Sequence, residues 1–96
     1  MAKMVYGITE MEYTWSEFKE DLKAGREMQL QHRNSEISIL FVQNNKGQKV
    51  IALIEQENGD TRTYEYKSRW QILKHRFKNT MNLSEMWKNI TVIDIA

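Results

Sequence analysis

The stretch Glu36–Tyr66 reads EISILFVQNNKGQKVIALIEQENGDTRTYEY and decides the fold class. Glu36–Gln43 and Lys49–Gln56 are rich in β-branched and large apolar residues, and Thr61–Tyr66 is rich in Thr and Tyr. Such runs favour pleated, half-buried strands. Asn58-Gly59 is a strong signal for a two-residue hairpin turn, because that turn needs positive φ at both central positions. Residues 44–47, Asn-Asn-Lys-Gly, fit a four-residue loop. Upstream, Glu27–Arg33 alternates, with Met28, Leu30 and His32 on one side, and Asn34-Ser35 fits a tight turn. Short connections make strands antiparallel, so the four runs predict a meander.

Helical punctuation flanks the meander. Thr14 and Glu17 form a capping box, with Tyr13 and Phe18 placed as its hydrophobic staple. Trp15, Phe18 and Leu22 share a face, and Gly25 is the expected stop, which predicts a helix over about 15–24. Ser68 and Gln71 make a second capping box, followed by Trp70, Leu73 and Phe77 on one face to about Asn79. Asn82 and Glu85 open a third, short helix carrying Leu83, Met86 and Trp87. Ile90–Ile95 is β-branched and extended, and residues 1–12 read as an extra short strand or a flexible segment. The expectation is one α+β domain over residues 1–96. It has an N-terminal helix, a four-stranded antiparallel β-meander, two C-terminal helices and an extended tail, with the first two helices packed on the core face of the sheet.

Turns fix register, and register fixes which side chains share a face. The Asn58-Gly59 turn places Glu55 opposite Arg62, Leu53 opposite Tyr64 and Ile51 opposite Tyr66. The 44–47 loop places Phe41 opposite Val50, Ile39 opposite Ala52 and Ile37 opposite Ile54. The Asn34-Ser35 turn sets His32 against Ile37 and Leu30 against Ile39. The predicted core face then holds Met28, Leu30, His32, Ile37, Ile39, Phe41, Val50, Ala52, Ile54 and Thr63. The other face collects Leu40, Val42, Ile51, Leu53, Tyr64 and Tyr66, an apolar centre that a solvated sheet face does not normally carry. Either the third helix, the tail or residues 1–12 folds over that centre, or another molecule does.

Composition excludes several kinds of chemistry. There are no cysteines, so neither a disulfide nor a thiolate nucleophile is available, and a reducing cytoplasm is the natural setting. Two histidines far apart, His32 and His75, have no metal-ligand spacing, and His32 reads as a hydrogen-bonded structural histidine. No Ser or Thr lies in a nucleophile-elbow motif, and the isolated glycines make no phosphate loop. The expectation is a non-enzyme without metal or cofactor. The N-terminus lacks the apolar run of a signal peptide, and no stretch approaches the roughly 20 apolar residues that span a bilayer.

Charge is unevenly distributed. Lys67, Arg69, Lys74, Arg76 and Lys78 fall in one segment without an acidic residue, on a chain whose formal net charge is +1. On a helix Lys67, Lys74 and Lys78 make one stripe, with Arg69 and Arg76 on the opposite flank. The bland reading is a solvated helix that balances the acidic first helix. The functional one is nucleic-acid or small-nucleotide binding by Lys67, Lys74, Arg76 and Lys78, helped by Tyr66.

Thr14-Trp15-Ser16-Glu17-Phe18-Lys19-Glu20-Asp21-Leu22-Lys23-Ala24-Gly25-Arg26-Glu27 resembles the opening of a group of short proteins of Firmicute bacteria and their phages or prophages. Their pattern is W-x-E-F-x-x-D-L-x-x-G-R-E followed by a strand. Leu83-Ser84-Glu85-Met86-Trp87 is similar to their closing helix. The resemblance covers residues 14–30 well and 83–90 loosely. It carries no catalytic residue and implies a mobile-element setting, where small proteins inhibit or redirect host enzymes or anti-phage defence components. The leading expectation is a non-enzymatic protein-binding module acting on a host protein from the host cytoplasm. Its contacts are Leu40, Leu53, Tyr64 and Tyr66, with Arg62 at the rim. A homodimer and a toxin-immunity partnership draw on the same surface.

Overall fold

The computed structural model describes residues 2–6 and 9–96, with the backbone alone for Val5, Tyr6, Thr9 and Glu10. Seven strands form one mixed sheet. They are β1 (Ala2–Tyr6), β2 (Thr9–Tyr13), β3 (Met28–His32), β4 (Ser35–Gln43), β5 (Lys49–Glu57), β6 (Asp60–Tyr66) and β7 (Ile90–Ile95). Their spatial order is β2-β1-β7-β3-β4-β5-β6. The helices are α1 (Trp15–Lys23), α2 (Arg69–Lys74) and α3 (Leu83–Met86), the last continued by a 3-10 turn over Trp87–Asn89.

This corrects the expected four-stranded architecture. The four consecutive strands β3–β6 are only one side of a larger sheet, because the extended tail is itself a strand, β7. It pairs antiparallel with β3 and parallel with β1, and β1 pairs antiparallel with β2. Residues 1–12 therefore supply two strands, and the turn between them lies outside the described residues. Strand β3 carries Met28 and Leu30 into the core, and a free edge beside them would leave ladder donors and acceptors unpaired. The β-branched tail satisfies that edge. Its ladder has a bulge: Gln29 pairs with Asp94 and Leu30 with Val92, which leaves Ile93 unpaired and exposed.

Two of the three expected registers also change. Arg33 adopts φ 55°, so the turn is Arg33-Asn34 and His32 pairs with Ser35, Leu30 with Ile37 and Met28 with Ile39. That shift is by two residues and keeps the faces. Between β4 and β5 the shift is by one. The Asn44 side chain organises residues 44–48: its Oδ1 accepts from the Lys46 and Gln48 amides at 2.9 and 3.0 Å, and its Nδ2 donates to Gln48 Oε1 at 3.0 Å. The Asn44 amide closes the loop on Gln48 O at 2.9 Å, with Gly47 at φ 74°. Gln43 thus pairs with Lys49, Phe41 with Ile51, Ile39 with Leu53 and Ile37 with Glu55. The β5–β6 hairpin has Asn58 at φ 52° and Gly59 at φ 80°, and sets Leu53 against Tyr64 and Ile51 against Tyr66.

A one-residue shift exchanges the faces of β5 and β6 relative to β3 and β4. One face now presents Met28, Leu30, Ile37, Ile39, Ile51, Leu53, Ile90 and Val92 to a single core cluster. The same cluster takes Phe18 and Leu22 from α1, Ile72 from α2, Leu83 and Met86 from α3, and Trp87. All helices thus share one face of the sheet. Trp87 is the aromatic hub, with ring centroids 4.9 Å from Phe18, 5.1 Å from Trp15 and 6.0 Å from Tyr13.

Capping matches local chemistry. Thr14 Oγ1 accepts from the Glu17 amide, and Glu17 Oε1 accepts from the Thr14 amide, each at 3.1 Å. After Ala24, the Arg26 amide reaches Asp21 O and the Gly25 amide reaches Leu22 O, with Gly25 at φ 78°. This is a Schellman stop that favours glycine. The Tyr13 hydroxyl also donates to Asp21 Oδ2. Burial, and then this bond, push the Tyr13 phenol far above its ordinary range. Thr14→Ala is expected to cost about 1 kcal/mol, read as a lower urea midpoint at an unchanged slope.

Candidate functional site

Among the described residues, no helix lies on the second face of the sheet. Its centre is Leu40 and Val42 from β4 with Val50, Ala52 and Ile54 from β5, none of which belongs to the core cluster. Val50 and Ala52 are themselves buried, at 6% and 8% exposure. Ala52 lies between Leu40 and Glu65, and Ile54 between Ser38 and Thr63. Val42 is 39% exposed, and Leu40 and Ile54 are half-buried. Gln29, Gln31, Glu36, Gln56, Thr63 and Glu65 ring this apolar strip.

The sequence-predicted contact residues are split between the two faces. Leu40 is on the bare face. Leu53 is 0% exposed in the core, beneath the helices. Tyr64 and Tyr66 share its face and pack on the core beside His75, with ring centroids 4.3 and 5.6 Å from that imidazole. Arg62 is on the same side, exposed, with Nε 3.6 Å from Asp60. The structure therefore brings Leu53, Arg62, Tyr64 and Tyr66 together but separates them from Leu40. Val50, Ala52 and Ile54, assigned from sequence to the core face, take their place beside it. The only sequence signal that could have found them is the extra residue in the loop after Gln43.

The basic segment is also divided. Helix α2 stops at Lys74, since His75 turns to extended backbone at φ −58°, ψ 134°. Its side chain enters the Tyr64, Tyr66 and Phe77 cluster, where the Tyr66 hydroxyl and His75 Nδ1 share a hydrogen bond of 2.5 Å. Trp70, expected in the core, is 62% exposed under the Lys74 ammonium, and Ile72 is buried in its stead. Arg76 Nη1 donates to Thr80 O at 2.7 Å and pairs with Glu85 at 3.2 Å. Lys78 Nζ is 3.9 Å from Asp60, and its amide donates to the buried Glu55 carboxylate. Lys67 lines a different cleft from Lys74 and Arg76. The continuous stripe needed a helix running to residue 79, and no such helix forms.

Three of the clefts among the described residues involve the histidines or the basic segment. One of about 430 Å³ lies where β4 ends, β5 begins and β6 leads into α2; Phe41, Val50, Lys49, Lys67 and Arg69 are among its walls. A shallower one of about 450 Å³ is bounded by Tyr64, Tyr66, Lys74, His75 and Arg76. A third, of about 270 Å³, has His32, Ser35, Glu57 and Asn79 in its wall. His32 is buried, and its Nε2 lacks a hydrogen-bond partner among the described residues, unlike the bonded histidine expected. No group of three potential metal ligands occurs among the described residues. No helix among them is long and apolar enough to cross a membrane.

Compared with protein-family models, curated proteins and solved structures, the chain matches none.

Proposed function

We propose that the chain is a non-enzymatic protein-binding module whose partner docks on the bare face of the sheet. The observation that carries this reading is the apolar strip of exposed Val42, half-buried Leu40 and Ile54, and the more buried Val50 and Ala52 between them, which no helix covers and which stands apart from the main core cluster. An apolar centre in a polar ring is the anatomy of a docking surface. Glu36 and Glu65 stand at its rim with no basic partner among the described residues. Their charge favours a partner that presents an apolar surface edged by Lys or Arg, and disfavours a second copy laid face to face. The resemblance of residues 14–27 to short phage and prophage proteins adds a setting. In it the partner is a host protein, and binding inhibits or redirects it. A toxin neutralised by this chain would meet the same requirements of shape and charge.

Ile54→Asp and Leu40→Asp test this. Both positions are half-buried on the bare face, so each change is expected to cost only about 1 kcal/mol in stability. Each is expected to abolish co-purification of a stoichiometric partner from Firmicute lysate, while Lys88→Glu retains it. If wild type and Ile54→Asp capture the same proteins, the bare face is not the docking surface. Light scattering supplies the other arm: a wild-type dimer that Ile54→Asp converts to monomer would make the occupant a second copy and overturn the heterologous partner.

A further inference from the structure

The cleft at the β4–β5 end of the sheet gathers three cations from separate elements. Its charged lining residues are Lys49, Lys67 and Arg69, with no carboxylate among them. Some exposed cations elsewhere have acidic neighbours: Arg26 has Asp21, Arg62 and Lys78 have Asp60, and Arg76 has Glu85, whereas Lys19, Lys23, Arg33, Lys46, Lys74 and Lys88 are scattered singly or in pairs without one among the described residues. Among the described residues, Lys49 and Lys67 have none within ion-pair distance. The Glu27 carboxylate accepts from the Phe41 amide at 3.2 Å, and Glu27 lines a different cleft.

Arg69 is held in place. Its Nε donates to Leu22 O at 2.9 Å, at the end of α1, and its guanidinium lies 5.2 Å from the Phe41 ring centroid. A guanidinium fixed by a carbonyl and an aromatic face keeps donors free for an anion at little entropic cost. The rest of the wall is Gln43 and an apolar part from Phe41, Val42, Val50 and Ile51. About 430 Å³ falls in the range of small-molecule pockets.

We infer that this cleft binds a mononucleotide, with Lys49, Lys67 and Arg69 around the phosphate and the apolar wall receiving the base. Three cations without a carboxylate select a multiply charged anion such as a phosphate monoester over a neutral ligand. The apolar wall gives the flat organic part a place that inorganic phosphate cannot use. The site shares Val42 and Val50 with the apolar strip of the protein-docking reading but does not rest on that reading. Its test residues, Lys49 and Lys67, lie outside the apolar strip.

The probe is adenosine monophosphate, titrated into the isotope-labelled chain and followed by amide shifts, with inorganic phosphate and adenosine as separate titrants. The expected result is saturable movement of Phe41, Val50, Lys67 and Arg69, weaker binding of phosphate and weaker still of adenosine. Lys49→Glu and Lys67→Glu are each expected to lower affinity at least about tenfold, while Lys88→Glu changes it less than about twofold. Four results overturn the inference: no saturable shifts, shifts that map elsewhere, an equal loss in Lys88→Glu, or phosphate binding as tightly as the nucleotide. A single-stranded oligonucleotide that binds far more tightly than the mononucleotide would overturn the free-nucleotide assignment in favour of a nucleic-acid surface.

Discussion

Leu53→Ala is expected to destabilise the protein by roughly 2–5 kcal/mol, while Leu40→Ala costs about 1 kcal/mol or less. Leu53 is 0% exposed, lies between Ile39 and Tyr64 in the sheet, and faces the layer that holds Phe18, Ile72 and Trp87. Truncation there removes buried methyl groups and leaves a cavity that rigid neighbours on both layers cannot fill. Leu40 sits one strand away on the bare face, where water already reaches part of its surface and can occupy the space of the lost atoms. Urea denaturation of the two variants, compared at equal slope, measures the difference. Equal losses would place both leucines on one face and would overturn the register between β4 and β5. Leu53→Asp is expected to unfold the chain outright, because a carboxylate in that position has neither water nor a cationic partner. Unfolding of that variant says nothing about binding, whereas Ile54→Asp, on the opposite face of the same strand, remains informative.

The legibility of this fold in its sequence varied with the range of the determining interactions. The Asn58-Gly59 hairpin was readable because two consecutive positive φ angles are demanded by the turn and supplied by those residue types. The capping boxes at Thr14, Ser68 and Asn82 were readable for the same reason: donor, acceptor and spacing all lie within four residues. The loop after Gln43 was not. Whether it holds four residues or five depends on Asn44 bridging to Gln48, and Asn44-Asn45-Lys46-Gly47 is compatible with both. That single residue moved Ile51, Leu53, Tyr64 and Tyr66 into the core face and Val50, Ala52 and Ile54 out of it. The apolar surplus was visible in sequence, but its membership was not.

Long-range pairing was the other gap. Ile90–Ile95 announces an extended segment, yet nothing local states that it inserts between β1 and β3 or that it runs parallel to β1. Such a choice is made by which edge remains unpaired once the hairpins have formed. Helix α2 failed for a third reason. Residues 75–79 carry acceptable helix formers, but His75 gains burial against Tyr64 and Tyr66 by leaving the helix, and Lys78 gains a bond from its amide to Glu55. Tertiary contacts outweighed a weak local preference. The basic stripe vanished with the helix, and Lys67 joined Lys49 and Arg69 in a cleft that no single segment encodes.

Stability is expected to fall as the pH drops below about 6.5, before the carboxylates begin to titrate. Both histidines are buried, and Nε2 of each has no hydrogen-bond partner among the described residues. Burial holds the His75 imidazole below its ordinary value. Burial does the same for His32, reinforced by the Arg33 charge and partly opposed by Glu57. In the unfolded chain both rings titrate near the ordinary 6.5. Below that pH the unfolded state takes up protons that the folded state refuses, so the full stability is present above it and is lost on acidification. The slope is up to about 1.4 kcal/mol per pH unit for each ring, and it persists until the folded-state value is reached. Urea midpoints taken from neutral pH down to about 5 should therefore decline steadily. His75→Phe retains an aromatic ring between Tyr64 and Phe77 and is expected to remove about half of that slope, and His32→Leu the other half. His75→Phe also strands the Tyr66 hydroxyl, so its stability at neutral pH should drop by about 1 kcal/mol even as its acid sensitivity improves. A wild-type midpoint that stays flat from neutral pH to about 5 would mean that both rings accept a proton in place, by drawing water or the Glu57 carboxylate to their buried nitrogens.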